Sequence, residues 1–386
     1  MTDTVHPAGA ERGRWLILWF WVGLAGVVFL LATPVRDLFV NEGMRWLYIL
    51  ILSFAASFGL TPIMFRLGHR LGLVDQPAER KIHWEPTPRI GGLAIYLGFV
   101  VAVVANSILV DWMIAILVSG SLLLVVGLLD DKWELPAWVK LSAQVGGAGL
   151  VIYSGKVLTL FPSGVPGDVA NILLTFLWIV GITNAFNFFD GMDGLATGLA
   201  ILIAFFMGLV AFDTNQPYLG WLALAMIGAG IGFFPYNFSV RRPGLIFLGD
   251  GGSTFLGFTL ACLAVKGNWA DYNPIVSFSN PLLIFGVLIY DMIHITVERV
   301  LTKKVRTVKE WIDFVGRDHL HHRLERALGS RQASVGMIFV LTICLGLAAM
   351  VLRHADTADA VMLLAQAVLI LLMVTILERG RRSVQE

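Results

Sequence analysis

Apolar runs of about 20 residues recur from one end of this chain to the other, the length that the hydrocarbon core of a bilayer selects. We read twelve spans, at 15–32, 46–65, 92–110, 112–129, 138–153, 169–188, 195–212, 218–238, 252–265, 280–300, 334–352 and 360–377. Lipid offers no hydrogen-bond partner to the backbone, so each span has to satisfy its own N–H and C=O groups as a helix. The fold class is therefore an all-α polytopic membrane protein of about twelve transmembrane helices. Only 14% of the residues are charged, against about 25% in soluble domains. The net charge of +1 gives no footprint for nucleic acid. Cys262 and Cys344 both lie inside apolar runs, and no disulfide framework or zinc spacing exists. The first run follows Arg12 and Arg14 but lacks a small-residue cleavage site, so it is read as a retained helix.

Lysine and arginine decide the orientation. With both termini cytoplasmic, all but five of the 28 Lys and Arg residues fall on the cytoplasmic side, the exceptions being Arg36, Arg45, Lys156, Lys266 and Arg353. The same alternation puts Asp130, Asp131, Asp190, Asp193, Asp250 and the histidines at 319–322 on that side. Nothing in the hydropathy pattern requires this agreement. A carboxylate inside or beside a spanning helix is costly, and so points to function. Chemistry on a cytoplasmic substrate follows.

Four constellations carry that chemistry. Asp130-Asp131 closes the fourth span; two adjacent carboxylates can bind Mg²⁺ or supply a general base. Asn184, Asn187, Asp190 and Asp193 recur every third residue, which on a helix gives a slowly drifting polar stripe suited to a base, a ribose or a sugar. Phe247-Leu-Gly-Asp250-Gly-Gly-Ser253 opens the ninth span, where a glycine-rich helix start suits phosphate, its Asp suits a bridging metal and its Phe can stack on a planar base. Three histidines stand within Asp318-His319-Leu-His321-His322-Arg323. They raise a zinc site, but no cysteine or fixed spacing supports one. With Arg317 and Arg323 they suit a pyrophosphate better. The first cytoplasmic loop adds Arg80-Lys81-Ile-His83 and Pro88-Arg89-Ile-Gly91-Gly92, and the segment 309–315 has the pattern of an interfacial helix.

In order and spacing these pieces, together with Asp75, Lys140 and Gln144, resemble the polyprenyl-phosphate N-acetylhexosamine-1-phosphate transferases, the family of MraY and WecA/TagO. The His-x-His-His form is similar to the WecA/TagO branch. The resemblance implies a ten-helix core within residues 45–352, preceded by an extra first helix in 1–44 and followed by a last helix and basic tail in 353–386. It implies transfer of a sugar 1-phosphate, N-acetylglucosamine 1-phosphate first among them, from a UDP-N-acetylhexosamine to a polyprenyl (undecaprenyl) phosphate, with release of UMP. The protein would then sit in a bacterial inner membrane, compatible with a homodimer, and initiate a cell-envelope polysaccharide. By resemblance Asp130 activates the lipid phosphate, Asp250 is the main Mg²⁺ ligand (Mn²⁺ being the second choice) and Asp131 supports it. Asn187, Asp190, Asp193 and Phe247 line the nucleotide site, and Lys81, His83, His319, His321 and His322 meet the pyrophosphate. Two alternatives stand beside this reading: the phospho-MurNAc-pentapeptide transferase of peptidoglycan synthesis and, in a different class, an ion-coupled transporter. Asp291 in the tenth span resembles an acidic position of the WecA branch, with no role assigned.

Overall fold

The computed structural model describes residues 7–77, 85–240, 242–269, 274–314, 316–352 and 356–385. Its helices are α1 (Pro7–Leu31), α2 (Thr33–Asn41), α3 (Arg45–Leu71), α4 (Gly91–Ala105), α5 (Asp111–Trp133), α6 (Ala137–Tyr153), α7 (Val165–Phe189) and α8 (Leu195–Asp213). They continue as α9 (Pro217–Asn237), α10 (Gly249–Lys266), α11 (Pro274–Ile284), α12 (Gly286–Leu301), α13 (Val308–Asp313), α14 (Leu320–Leu328), α15 (Arg331–Leu352) and α16 (Thr357–Gln385). The β-structure among the described residues is one short antiparallel pair, β1 (Val74–Asp75) with β2 (Thr87–Pro88). Lys81 and His83 lie outside the described residues.

Every expected span is built on a helix, but among the described residues eight helices are long and apolar enough to cross a membrane, or nine if the bent pair α11–α12 is one span. Three expected spans fall short of that standard: α4 is 15 residues long, and α6 and α10 are 17 and 18. Helix α10 shows why hydropathy understates it. From Gly251 to Val265 all its residues are buried, packed against α4, α5, α7 and α8. Its neighbours are protein rather than lipid, so glycine, serine and threonine serve as well as leucine.

The tenth expected span, 280–300, is not one straight helix. The chain turns by 82° between α11 and α12. Pro281 removes one backbone donor from α11, and Gly286 at the bend lets it close on Leu345 of α15. A proline in α3 has a different outcome. Pro62 cannot donate to the Phe58 carbonyl; Tyr236 of α9 donates its hydroxyl to that oxygen instead, at 3.0 Å.

Two of the cations expected on the outer face meet aromatic rings, at the end of the bundle opposite Asp130 and Asp250. Arg45 lies 4.1 Å from the Trp221 ring centroid, and Lys266 lies 5.5 Å from that of Trp112. The free cysteines, Cys262 and Cys344, form no disulfide. The expected interfacial helix is α13, N-capped by the Thr307 hydroxyl and tied to α12 by the Trp311 indole, which donates to Thr296 at 3.2 Å; Val315 lies outside the described residues.

Candidate active site

The glycine-rich start of α10 organises the site. Gly249 has φ +78°, a left-handed conformation that favours glycine, and a Cβ there would fall on the Arg89 carbonyl oxygen. Gly251 and Gly252 let α10 wedge between α5 and α4, backbone against backbone, at Gly127 and Gly92. The Gly91 and Gly92 amides donate to the Phe247 and Leu248 carbonyls at 3.0 and 2.8 Å, and Phe247 donates to Pro88 at 2.8 Å. This lattice carries Asp250 to the end of α5. There its amide donates to Asp131 Oδ2 at 3.0 Å.

Around Asp250 the remaining groups are fixed by short bonds. Lys140 of α6 donates to Asp130 Oδ2 at 2.6 Å and lies 3.6 Å from Asp250 Oδ2. The Leu135 amide closes on Asp130 Oδ1 at 2.7 Å. Gln144 and Asn184 exchange amide hydrogen bonds, and Asn187 donates to Ser253 Oγ at 3.0 Å. Arg89 pairs with Asp75 and lies 4.0 Å from Asp131.

The expected polar stripe is not helical throughout. Helix α7 ends at Phe189, Asp190 is its C-cap and Gly194, at φ +73°, is the N-cap of α8. Only Asn184 and Asn187 therefore share a helix. Asp193 stands in the intervening turn, where its Oδ2 accepts from the Gly244 amide at 2.8 Å. The Asn237 side chain braces the turn by accepting from the Gly194 amide at 3.1 Å. The three-residue period breaks because glycines 191 and 194 let the chain leave the helix and present both carboxylates from a turn.

A cavity of about 570 Å³ opens among these elements. Asp75, Asp131, Asp190, Asp193 and Asp250 reach it, as do Phe247, His322 and the arginines at 89, 242, 317 and 331. Asp130, Asn187, His319 and His321 are not among its lining residues. Asp130 is committed to Lys140. His319 is held at 2.7 Å by the buried Asp291. His321 is 1% exposed and packs its Nε2 against Gly191, with no hydrogen-bond partner for either ring nitrogen among the described residues. Arg323, expected to face an anion, is buried between Asp291 and Glu378. Sequence reasoning missed Arg331 at the start of α15, which lines the cavity with no motif to announce it.

The electrostatics follow from crowding. Burial, together with the charges of Asp250, Asp131 and Asp193, holds the Asp190 carboxyl well above the usual carboxylate range. Burial and the hydrogen bond to Asp130 push Asp250 up to about 6, against the pull of Lys140. Burial and the neighbouring His322 push His321 down, and burial also lowers His322, with Glu325 opposing. Carboxylates that repel one another around an open cavity suit a hard cation. Among the described residues no group of three His, Cys, Asp or Glu side chains converges on a metal-sized point. A cation here would thus be held by one or two carboxylates with ligand oxygens completing its shell, as Mg²⁺ beside phosphates commonly is.

The family profile of glycosyl transferase family 4 matches residues 113–268, the stretch from α5 to the loop after α10. A probable undecaprenyl-phosphate N-acetylglucosaminyl 1-phosphate transferase of Bacillus subtilis (strain 168) is 36% identical over 314 residues, covering 79% of this chain and 84% of its own length. The chain belongs to glycosyl transferase family 4. The decaprenyl-phosphate N-acetylglucosaminephosphotransferase of Mycolicibacterium smegmatis is similar at 30% identity over 355 residues, covering 83% of this chain and 86% of that protein. The undecaprenyl-phosphate alpha-N-acetylglucosaminyl 1-phosphate transferase of Escherichia coli (strain K12) is similar at 28% over 278 residues, 70% and 74% of the two chains. The family 4 match contains Asp130, Asp131, the 184–198 block, Phe247 and Asp250. The histidine segment of this transferase lies beyond it.

Proposed function

We propose that this family 4 enzyme transfers N-acetylglucosamine 1-phosphate from UDP-N-acetylglucosamine to a polyprenyl phosphate at the cytoplasmic face of a bacterial membrane. UMP leaves, and the lipid-linked sugar begins a cell-envelope polysaccharide. The relatives' names support the acceptor and the sugar. The observation that carries the reading is the lining of the cavity: carboxylates from α5, α10 and the 190–194 turn share it with Arg317, His322 and Arg331.

In the transfer an oxygen of the lipid phosphate attacks the β-phosphorus of the nucleotide sugar. The bond from that phosphorus to the bridging oxygen breaks, and UMP carries the oxygen away. Catalysis is then positioning and charge stabilisation, with no covalent enzyme intermediate. Arg317, Arg331 and His322 take the anionic oxygens through charge-assisted hydrogen bonds. Phe247 and Asp193 line the nucleotide end. Lys140 bridges Asp130 and Asp250, which keeps the base next to the carboxylates that would hold Mg²⁺, Asp250 and Asp131. When bound, the cation neutralises charge on the pyrophosphate and the leaving UMP. Asp130, which the resemblance assigns to activating the lipid phosphate, does not line the cavity and would act on it through Lys140 and Asp250.

The test is UMP release by purified protein. We expect UMP from UDP-N-acetylglucosamine only when polyprenyl phosphate and Mg²⁺ are both present, and none from UDP-MurNAc-pentapeptide. Turnover of the pentapeptide donor, or no UMP from any UDP-sugar, overturns the reading.

A further inference from the structure

None of the described side chains of α16 lines the cavity, and only 17% of its apolar window is buried. It nevertheless carries a carboxylate into the protein. Glu378 is 6% exposed, and its Oε2 lies 3.4 Å from Nε of Arg323, itself 2% exposed. The same guanidinium lies 3.5 Å from Asp291 of α12, which is fully buried. Both Asp291 oxygens are already engaged at shorter range: Oδ2 with His319 Nδ1 and Oδ1 with the Leu320 amide, each at 2.7 Å. Tyr290 joins the same cluster, with its ring 5.9 Å from the Arg323 guanidinium and its hydroxyl bonded to Thr375 of α16.

This arrangement sets a competition. Asp291 positions the start of α14 through a side chain and a backbone amide. Arg323, one turn along the same helix, carries donors that would serve Asp291 better than imidazole does. A buried guanidinium left with one carboxylate moves onto it, because an unpaired buried charge is costly. Glu378 draws Arg323 the other way and leaves the short bonds of Asp291 to His319 and Leu320, with the guanidinium no nearer than 3.5 Å. We propose that Glu378 is a positioning residue for the histidine segment: it holds Arg323 off Asp291 and so keeps His322 directed into the cavity. The proposal rests on the reading of the cavity as the transfer site.

The experiment uses full-length enzyme in detergent with UDP-N-acetylglucosamine and polyprenyl phosphate. Glu378→Gln should lower kcat by about tenfold while the donor KM stays within about twofold, and Glu378→Asp should recover most of the loss. In a His322→Ala background Glu378→Gln should cost less than about twofold more, since the two act through one group. A kcat for Glu378→Gln within about twofold of wild type overturns the proposal, as does a fully multiplicative loss in the His322→Ala background. Where Glu378→Gln does not fold, Arg323→Met with Glu378→Leu replaces the ion pair by apolar side chains, a change that buried pairs commonly tolerate. That double variant should turn over within about threefold of wild type, because no guanidinium remains to compete for Asp291; a folded but inactive double variant overturns the proposal. A wild-type rate for His322→Ala alone overturns the reading of the site and the proposal with it. A slow His322→Ala beside a fast Glu378→Gln overturns the proposal only.

Discussion

The Asp250 amide donates to the Asp131 carboxylate at 3.0 Å across a separation of 119 residues. The bond joins the start of α10 to the end of α5 and aims both side chains at one cavity. Asp250→Asn keeps the amide and its bond but replaces an anionic oxygen donor by a neutral amide. The fold should persist and turnover should fall by at least about a hundredfold, or 2.7 kcal/mol of transition-state stabilisation. Wild-type enzyme in EDTA should be equally silent. Substantial turnover in either case removes Mg²⁺ from the site.

A pH dependence follows from the same residue. Asp250, at about 6 in the absence of a cation, holds its proton below that pH, and a divalent ion has to displace it. Asp131, the other carboxylate that would hold the ion, is pushed up to about 8 by burial and the Asp250 charge, so one proton competes below pH 8 and a second below 6. Apparent Mg²⁺ affinity should therefore weaken by about tenfold for each unit between pH 8 and 6, the slope of one displaced proton, and more steeply below 6, where a second proton has to leave. Activity titrated against Mg²⁺ at each pH measures it; a flat affinity down to pH 5 would mean that Asp250 is not a ligand.

Backbone geometry predicts a stability loss. Gly249→Ala puts a Cβ on the Arg89 carbonyl oxygen at φ +78°. The left-handed strain alone costs about 1–2 kcal/mol, and displacing Arg89 adds to it. The variant should melt well below wild type and lose activity with it. An unchanged melting temperature would show that the β2–α10 contact is not as close as described.

The nucleotide end gives a separable result. Phe247→Ala and Asp193→Asn should each weaken UMP binding by about tenfold, some 1.4 kcal/mol, with lipid phosphate affinity unchanged. Phe247 lines the cavity, and Asp193 ties the turn to Gly244. Calorimetry that finds wild-type UMP affinity in both variants would move the nucleotide elsewhere in the cavity.

Much of this was legible in the chain because the solvent wrote it. Lipid demands apolar runs of helical length, and the cytoplasmic side gathers lysine and arginine, so the twelve helical segments and the shared face of Asp130, Asp190 and Asp250 follow from sequence. Helix α10 was the weakest of these signals because protein surrounds it. What stayed hidden depends on contacts between distant residues. The break at Phe285 needs α15 to close on Gly286. The turn at 190–194 needs Asn237 to brace it. Asp291 acquires a role only when α14, 28 residues later, places His319 against it, and Glu378 only when α16 returns to Arg323.

Topology is the condition for all of these results. Asp130, Asp190, Asp250 and His321 lie at one end of the bundle, whereas Arg45 and Lys266 lie at the other beside Trp221 and Trp112. Adding or removing one span would put half the motifs across a hydrocarbon core about 30 Å thick, and no loop here carries a nucleotide through it. The bent pair α11–α12 is the weakest point of the alternation, since treating it as re-entrant rather than spanning would invert everything after it. Single cysteines separate the two cases in a background with Cys262 and the exposed Cys344 replaced by serine or alanine. Asn215 and Asp356 are exposed on the outer side of the proposed arrangement, and Arg70 and Glu85 on the inner side. A membrane-impermeant thiol reagent applied to intact cells should label cysteines at 215 and 356 and spare those at 70 and 85. Labelling at 215 without 356 would make α11–α12 re-entrant and place His322 on the opposite face from Asp250, which the transfer cannot accommodate.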